Sequence, residues 1–367
     1  MMQPKFCTRC LAMSTRPRIT FNRDGVCNAC LWQEQKSSVD WDDRNSKLLS
    51  LLDSHRSKNN SYDVIVPVSG GKDGSYVAYN LKHKFNMNPL CVTVTPPLET
   101  QLGAQNLKNF IKSGYDQVSI NINPETIRNI NRAGFVHHGF PYFGWLVAIV
   151  TSVTRVAQQM NVPLIMYGED AEMEYGGSSE KANLTTFGIE YMKRVGFEAG
   201  YEKVFSTLDL SDSDLYWLTF AEQDKTQVLF SHWSYFENWD PYRNYLVAKK
   251  QCGLQEADDT NFGTFTNFAQ NDQYLYVLHT YLMYLKFGFG RSNQDACIEI
   301  RRGAMKREQA INLVRLYDGQ FPDEFLQMYL EYYQMSEAEF NATLARWVNK
   351  DLFELKDGLW SPTFTIQ

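Results

Sequence analysis

The chain has 367 residues, 44% of them apolar and 14% aromatic, with a net charge of −6 and a pI near 5.6. That is enough apolar material for a sizeable core and one to three domains, and it excludes an intrinsically disordered chain. The acidic balance argues against a nucleic-acid partner, which is normally met with a basic surplus. No apolar run approaches a membrane span and residues 1–10 carry no signal-peptide core, so the cytoplasm is the expected compartment.

The first 35 residues carry two thiolate hooks, Cys7-x-x-Cys10 and Cys27-x-x-Cys30, with 16 residues between them. Each hook places two sulfurs on one tight turn, and two hooks close a tetrahedron around Zn²⁺. The metal then supplies the core that so short a segment lacks. Four thiolates leave no open coordination position, so the expected role is structural. Disulfides would need an exported protein. Cys91, Cys252 and Cys297 are isolated in the sequence and read as buried, inert thiols. Residues 36–61 read as a linker, with a helix over Asp40–Leu52 and a polar loop over Ser54–Ser61.

From Tyr62 the pattern alternates. Strands are expected at Val64–Val68, Leu90–Thr95, Gln117–Asn121 and Leu164–Tyr167, and helices at Tyr76–Lys84, Gln101–Ser113, Glu125–Ala133 and Tyr142–Met160. That alternation predicts an α/β fold with a parallel, doubly wound sheet over residues 62–240. Pro67 is tolerable because it falls at a strand end. Gln227–Ser231 reads as one more strand. Residues 241–367 read as a mostly helical C-terminal region that completes the substrate site, with helices at Asp272–Phe287, Ala304–Tyr317 and Phe325–Tyr333. Ser336 and Glu339 form a capping box for a last helix.

The stretch that points to chemistry is Ser69-Gly70-Gly71-Lys72-Asp73-Gly74-Ser75, between the first strand and its helix. Glycines let backbone N–H groups approach an anion, and a helix N-terminus adds free donors. Lys72 can neutralise phosphate charge, and Asp73 can hold Mg²⁺ or order the loop. It is not a Walker A loop, since Asp73 follows Lys72 and Val66 stands where the first glycine belongs. It resembles the SGGxDS loop of the PP-loop ATP pyrophosphatases, with one added glycine, Gly74. That resemblance implies that ATP is split to AMP and pyrophosphate.

Beyond the last strong strand, Gly168 leads into Glu169, Asp170, Glu172 and Glu174. These four carboxylates read either as a solvated acidic loop or as a site that binds Mg²⁺ with ATP oxygens or takes a proton from an attacking amine, Glu169 and Asp170 foremost because they lie nearest the strand end. Thr95, at the second strand's end, is expected beside the nucleotide. The segment Leu98–Thr100 with Gly103, Asn106 and Asn109 reads equally as an adenosine wall or as helix capping. A second glycine pair, Gly288 and Gly290 with Arg291, reads either as a grip on a substrate phosphate or as a helix cap. Asp295, Glu299, Arg301 and Arg302 are expected on the same wall. His137 and His138 read as incidental, and the aromatics of residues 233–245 as core and rim.

The order of motifs, a zinc ribbon before SGGKDGSY, then YGEDAEMEYGG, HWSYFENWDPYRN, YLMYLKFGFGR and IEIRRG, resembles the N-acetyl sugar amidotransferases of bacterial surface-polysaccharide and nonulosonic-acid biosynthesis over nearly the whole chain. The added glycine is characteristic of that group. The resemblance implies an ATP-, Mg²⁺- and Zn²⁺-dependent reaction on a nucleotide-linked N-acetyl sugar. The acetamido oxygen is adenylylated, and ammonia then displaces AMP to leave an acetamidino group. It also implies a separate glutaminase and a cyclase-like subunit as ammonia source, and the chain shows neither an N-terminal Cys nucleophile nor a G-x-C-x-G elbow. Carried over, the pyrophosphate site is Ser69 to Ser75 and the metal set is Cys7, Cys10, Cys27 and Cys30; Gly288, Gly290, Arg291 and Arg301 are candidate substrate residues. The rivals are a tRNA thiolation or lysidine-type PP-loop enzyme, disfavoured by the acidic charge and isolated cysteines, and a non-enzymatic nucleotide-binding assembly protein.

Overall fold

A computed structural model describes residues 3–59, 61–197, 200–221, 227–356 and 358–367. Helix α1 (Asn28–Gln35) closes the cysteine ribbon and α2 (Trp41–Ser54) follows, capped by the Asp40 carboxylate. Next come β1 (Val64–Pro67), α3 (Lys72–His83), β2 (Pro89–Val94), α4 (Gln101–Lys112) and β3 (Gln117–Ile120). Two helices, α5 (Pro124–His138) and α6 (Phe143–Gln159), lead to β4 (Leu164–Tyr167). Three short helices, α7 (Ala171–Tyr175), α8 (Ile189–Tyr191) and α9 (Tyr201–Phe205), precede β5 (Leu229–His232).

The five strands form one parallel sheet in the order β3-β2-β1-β4-β5. Alternation along β1 explains its two layers. Val64 and Val66 face a core made with α3, the buried side of α2 and Phe110 of α4; Ile65 faces the opposite core, made with α5 and α6. Helices on both faces make the sheet doubly wound, as the alternating pattern predicted. The strand order reverses between β1 and β4, and in such sheets ligands bind beyond the carboxyl ends of the strands at this point.

The C-terminal part comprises α10 (Pro241–Cys252), α11 (Leu275–Phe287), α12 (Arg291–Arg301), α13 (Arg307–Tyr317), α14 (Leu326–Tyr333) and α15 (Glu337–Trp347). Helix α10 packs on α3 and so belongs to the layers of the sheet, while α11, α14 and α15 build a separate aromatic core. The Ser336–Glu339 capping box is present. A terminal antiparallel hairpin, β6 (Phe353–Lys356) with β7 (Leu359–Pro362), departs from the mostly helical reading of this region, which names no strand there. No helix among the described residues is long and apolar enough to cross a membrane.

Candidate phosphate-loop site

The SGGKDGS motif spans two local structures. Ser69 and Gly70 are loop, Gly71 is the N-cap of α3, and Lys72 to Ser75 form its first turn, so the helix begins four residues earlier than its apolar pattern suggested. No side chain caps this helix, which leaves its N-terminal donors and dipole turned towards the loop. Gly70 has a φ of +79°, and a Cβ there would lie 2.4 Å from the Leu107 backbone nitrogen. Gly74 has a different reason for being glycine. Its added Cβ would meet the Pro67 carbonyl oxygen at 2.7 Å, so it serves the close packing of α3 on the end of β1.

The charged residues of the loop form a compact group. Lys72 pairs with Asp73. Burial acts against the Lys72 charge, but Asp73, Glu169 and Asp295 outweigh it and hold the ammonium above its ordinary pKa. Asp73 Oδ1 and Ser75 Oγ are buried without a hydrogen-bond partner among the described residues. A buried carboxylate oxygen and hydroxyl left unpaired are costly in isolation, and they suit a cation and a phosphate oxygen. The donor set therefore fits Mg²⁺-nucleotide.

Across the switch point, Gly168 follows β4. A Cβ on it would lie 3.1 Å from Asp73 Cβ and 3.0 Å from the Trp239 ring. The next residue, Glu169, is pushed up to about 7 by burial and then by Asp73, against the pull of Lys72. A carboxyl poised near neutrality beside a phosphate loop is suited to proton transfer.

The other three carboxylates of this acidic stretch are committed elsewhere. Asp170 is buried, caps α7 through Glu172 N–H and pairs with the buried Lys181 at 3.0 Å. Glu172 pairs with Arg18 at 2.5 Å, and Glu174 accepts from Lys36 at 2.7 Å and from Trp32 Nε1 at 3.0 Å. The dense acidic site read from the sequence thus divides into three anchors and Glu169, which lies by the phosphate loop. Two of those anchors dock the ribbon, whose Asn28 also donates to Gly177 O at 3.0 Å.

The four ribbon cysteines are all buried, and their sulfurs lie within 4.8 Å of one another. Cys7 and Cys30 sulfurs are 3.8 Å apart and those of Cys10 and Cys27 3.7 Å. Zinc–sulfur bonds of about 2.3 Å in a tetrahedron require roughly 3.8 Å between sulfurs, so the set fits a single ion of that size. The Cys27 N–H donates to Cys7 Sγ at 3.3 Å and the Ala12 N–H to Cys10 Sγ at 3.4 Å, as suits thiolates. Arg301 lies 4.0 Å from Cys10 Sγ and donates to Glu174 O at 3.1 Å. Burial disfavours the Arg301 charge, but the sulfurs of Cys297, Cys10, Cys30 and Cys27 hold its pKa above the ordinary value. Arg301 therefore tethers the metal set to the acidic loop.

The second glycine pair serves the backbone. Gly288 ends α11 with a φ of +83°, against Met13 and Phe364. Gly290 caps α12, and its N–H donates to Asp318 at 2.8 Å, with Ser292 N–H at 2.9 Å on the other carboxylate oxygen. Asp318 thus occupies the donors that the sequence reading offered to a substrate phosphate. Arg291 is buried, donates to Ala269 O and lies over the Tyr276 ring. The Leu98–Asn109 segment follows the capping alternative: Thr100 caps α4 and Asn106 and Asn109 bond to Gln255 and Gly253. Thr95 lies one residue past β2, its N–H on Ile120 O. Trp233, Phe236 and Trp239 are core. Residues missed in the sequence are Asp318, remote from the helix it caps, and Tyr175, whose ionisation is opposed by burial and by the nearby Glu169 and Asp73.

Fold and site together define a parallel, doubly wound α/β protein with a glycine-rich loop at its switch point and a four-cysteine ribbon docked on its acidic loop. Residues 262–365 match a family described as the LPS biosynthesis protein WbpG-like, C-terminal domain. Over that segment, which spans α11 to the terminal hairpin, the chain is similar to a surface-polysaccharide family, the biosynthetic class implied by the sequence resemblance. No curated protein matches the chain. Among solved structures, the U34-tRNA thiolase NcsA from Methanococcus maripaludis with its 4Fe-4S cluster aligns at 13% identity and a TM-score of 0.32, covering 83% of this chain and 88% of that one.

Proposed function

We propose that the protein is an ATP-dependent amidotransferase that converts the acetamido group of a nucleotide-linked N-acetyl sugar into an acetamidino group. The observation that carries this reading is the meeting of Lys72, Asp73 and Glu169 at the switch point, with Asp73 Oδ1 and Ser75 Oγ unpaired. The match of residues 262–365 to an LPS-biosynthesis family supports the polysaccharide setting.

In this reading the substrate amide oxygen attacks the α-phosphorus of ATP, and pyrophosphate leaves. An amide oxygen is a poor leaving group, and adenylylation makes it a good one. The amide nitrogen loses its proton as the O-adenylyl imidate forms. Ammonia then adds to the imidate carbon, Glu169 takes a proton from it, and the C–O bond to AMP breaks. Ser69 to Ser75 cradle the pyrophosphate and Lys72 offsets its charge; Asp73 would hold Mg²⁺, which when bound would supply charge screening of the phosphate oxygens. Zn²⁺ on Cys7, Cys10, Cys27 and Cys30 is structural. Ammonia comes from a glutaminase acting with a cyclase-like subunit.

The test incubates the protein with ATP, Mg²⁺, an ammonium salt and a panel of UDP- and CMP-linked N-acetyl sugars, with tRNA as control. AMP is followed together with sugar mass. AMP with a sugar about one mass unit lighter, oxygen replaced by NH, is the expected result. AMP formed only with tRNA overturns the reading in favour of a tRNA-modifying enzyme.

A further inference from the structure

A cavity of about 560 Å³ opens beside the acidic loop, between the ribbon, the end of α5, the start of α6 and α11. Its lining is unusual for so acidic a chain: Arg16, Arg18 and Lys286 stand against a single carboxylate, Glu172, while burial keeps His138 and His279 towards the neutral form. Two of the three permanent cations are committed. Arg18 pairs with Glu172, and Lys286 donates to His138 O at 3.0 Å. Arg16 differs. Its guanidinium lies 5.7 Å from the centre of the Tyr175 ring and 5.9 Å from that of Phe289, and among the described residues it has no carboxylate or carbonyl acceptor. Burial, aided by the nearby Arg301, pulls its pKa below the ordinary value against the opposing pull of Tyr175, Cys297 and Glu172.

Tyr175 connects this cavity to the phosphate loop. It has Arg16 on its ring and feels the charges of Glu169 and Asp73 at its hydroxyl. A planar fork of donors held beside two rings is suited to bidentate recognition of phosphate.

We propose that this cavity seats the phosphate-bearing end of a sugar nucleoside diphosphate, with Arg16 of the cysteine ribbon as its anion hook. The inference deepens the proposed function and rests on it for the sugar that must reach Glu169. It also gives the ribbon a part in substrate binding.

The experiment is calorimetric titration of the full-length, metal-loaded protein, saturated with a non-hydrolysable ATP analogue so that the phosphate loop is occupied. The probes are UDP, inorganic pyrophosphate and free N-acetylglucosamine. UDP is expected to bind, pyrophosphate to compete with it, and the neutral sugar to bind far more weakly. Arg16→Gln is expected to weaken UDP at least tenfold. Arg16→Lys, which keeps the charge but not the fork, should fall between. Affinity for the ATP analogue, unchanged in both variants, reports an intact fold; if Arg16→Gln loses it, Arg16→Lys and pyrophosphate competition on the unmodified protein decide. Equal UDP affinity in the wild type and a folded Arg16 variant overturns the proposal, as does a wild type that binds neither anion. Failure of the amidotransferase reading is separate: it shows as absence of sugar-dependent AMP, whatever the titration gives.

Discussion

Gly168 and Asp73 face each other across the reversal of strand order, so close that a Cβ on Gly168 would stand 3.1 Å from that of Asp73. The approach brings the end of β4 against the first turn of α3, and so sets Glu169 beside the phosphate loop. Gly168→Ala is expected to push the Asp73 side chain by a few tenths of an ångström while Trp239 blocks retreat on the other side. Misplacement of a positioned group on this scale costs rate more than stability. AMP formation should fall about tenfold, with the melting temperature lowered by only a few degrees. A fully active variant would show that the two elements need no such contact.

Gly74 gives the opposite balance. In an exposed helix, Gly→Ala adds about 1 kcal/mol of stability. Here the new methyl group meets the Pro67 carbonyl oxygen at 2.7 Å, and backbone cannot step aside as a side chain can. Overpacking of this kind costs about 1–3 kcal/mol, more than the propensity gain. Gly74→Ala should therefore lower the denaturation midpoint, measured by urea unfolding. A rise in stability would show that α3 can lift from β1.

Asp170→Asn separates an anchor from a catalyst. Asp170 and Lys181 are both buried and 3.0 Å apart, and breaking one partner of a buried pair costs roughly 3–5 kcal/mol. The expected result is a large stability loss with sugar-dependent AMP formation retained below the new melting temperature. Loss of activity with full stability would return Asp170 to the reaction.

The parallel sheet was legible because its strands are short apolar runs bounded by turn residues and separated by helical patterns. Residues such as Val64, Ile65 and Val66 are buried on both faces, so periodicity was not needed to find them. The cysteine set was legible from spacing alone. The acidic loop was misread because sequence shows charge density but not partners. Glu172 and Glu174 are answered by Arg18 and Lys36, more than 130 positions away in the chain. Gly288 and Gly290 suffered the same ambiguity, since a glycine that ends a helix and one that cradles an anion look alike until Asp318 is placed. The hairpin of β6 and β7 was legible in principle, since Phe353-Glu354-Leu355-Lys356 alternates before an Asp357-Gly358 dipeptide, and a reading of the region as mostly helical passed over it.

Arg301→Met tests the link between metal set and acidic loop. Outer partners of a metal site typically hold 10–100-fold in affinity, and Arg301 places a cation 4.0 Å from Cys10 Sγ while donating to Glu174 O. Competition with a chromophoric chelator should show zinc affinity reduced by that factor. Cys10→Ser should lose the metal altogether. Zinc binding unchanged in Arg301→Met would show that the guanidinium acts on the loop alone.

The pH dependence of the reaction follows from Glu169. Burial and Asp73 raise its pKa to about 7, so below pH 7 the carboxyl is protonated and cannot accept a proton from the attacking ammonia. Above it the carboxylate is available. The fraction of free ammonia also rises with pH, so the rate must be expressed per unit of unprotonated ammonia. On that scale the rate should climb about tenfold per pH unit below 7 and flatten above it. Glu169→Gln should abolish the inflection and lower the plateau by about 10²–10⁴-fold, the usual contribution of a general base, while the protein stays folded because neutralising a group already disfavoured as an anion removes no ion pair it depends on. An inflection near 7 that survives in Glu169→Gln would assign the proton transfer to another group.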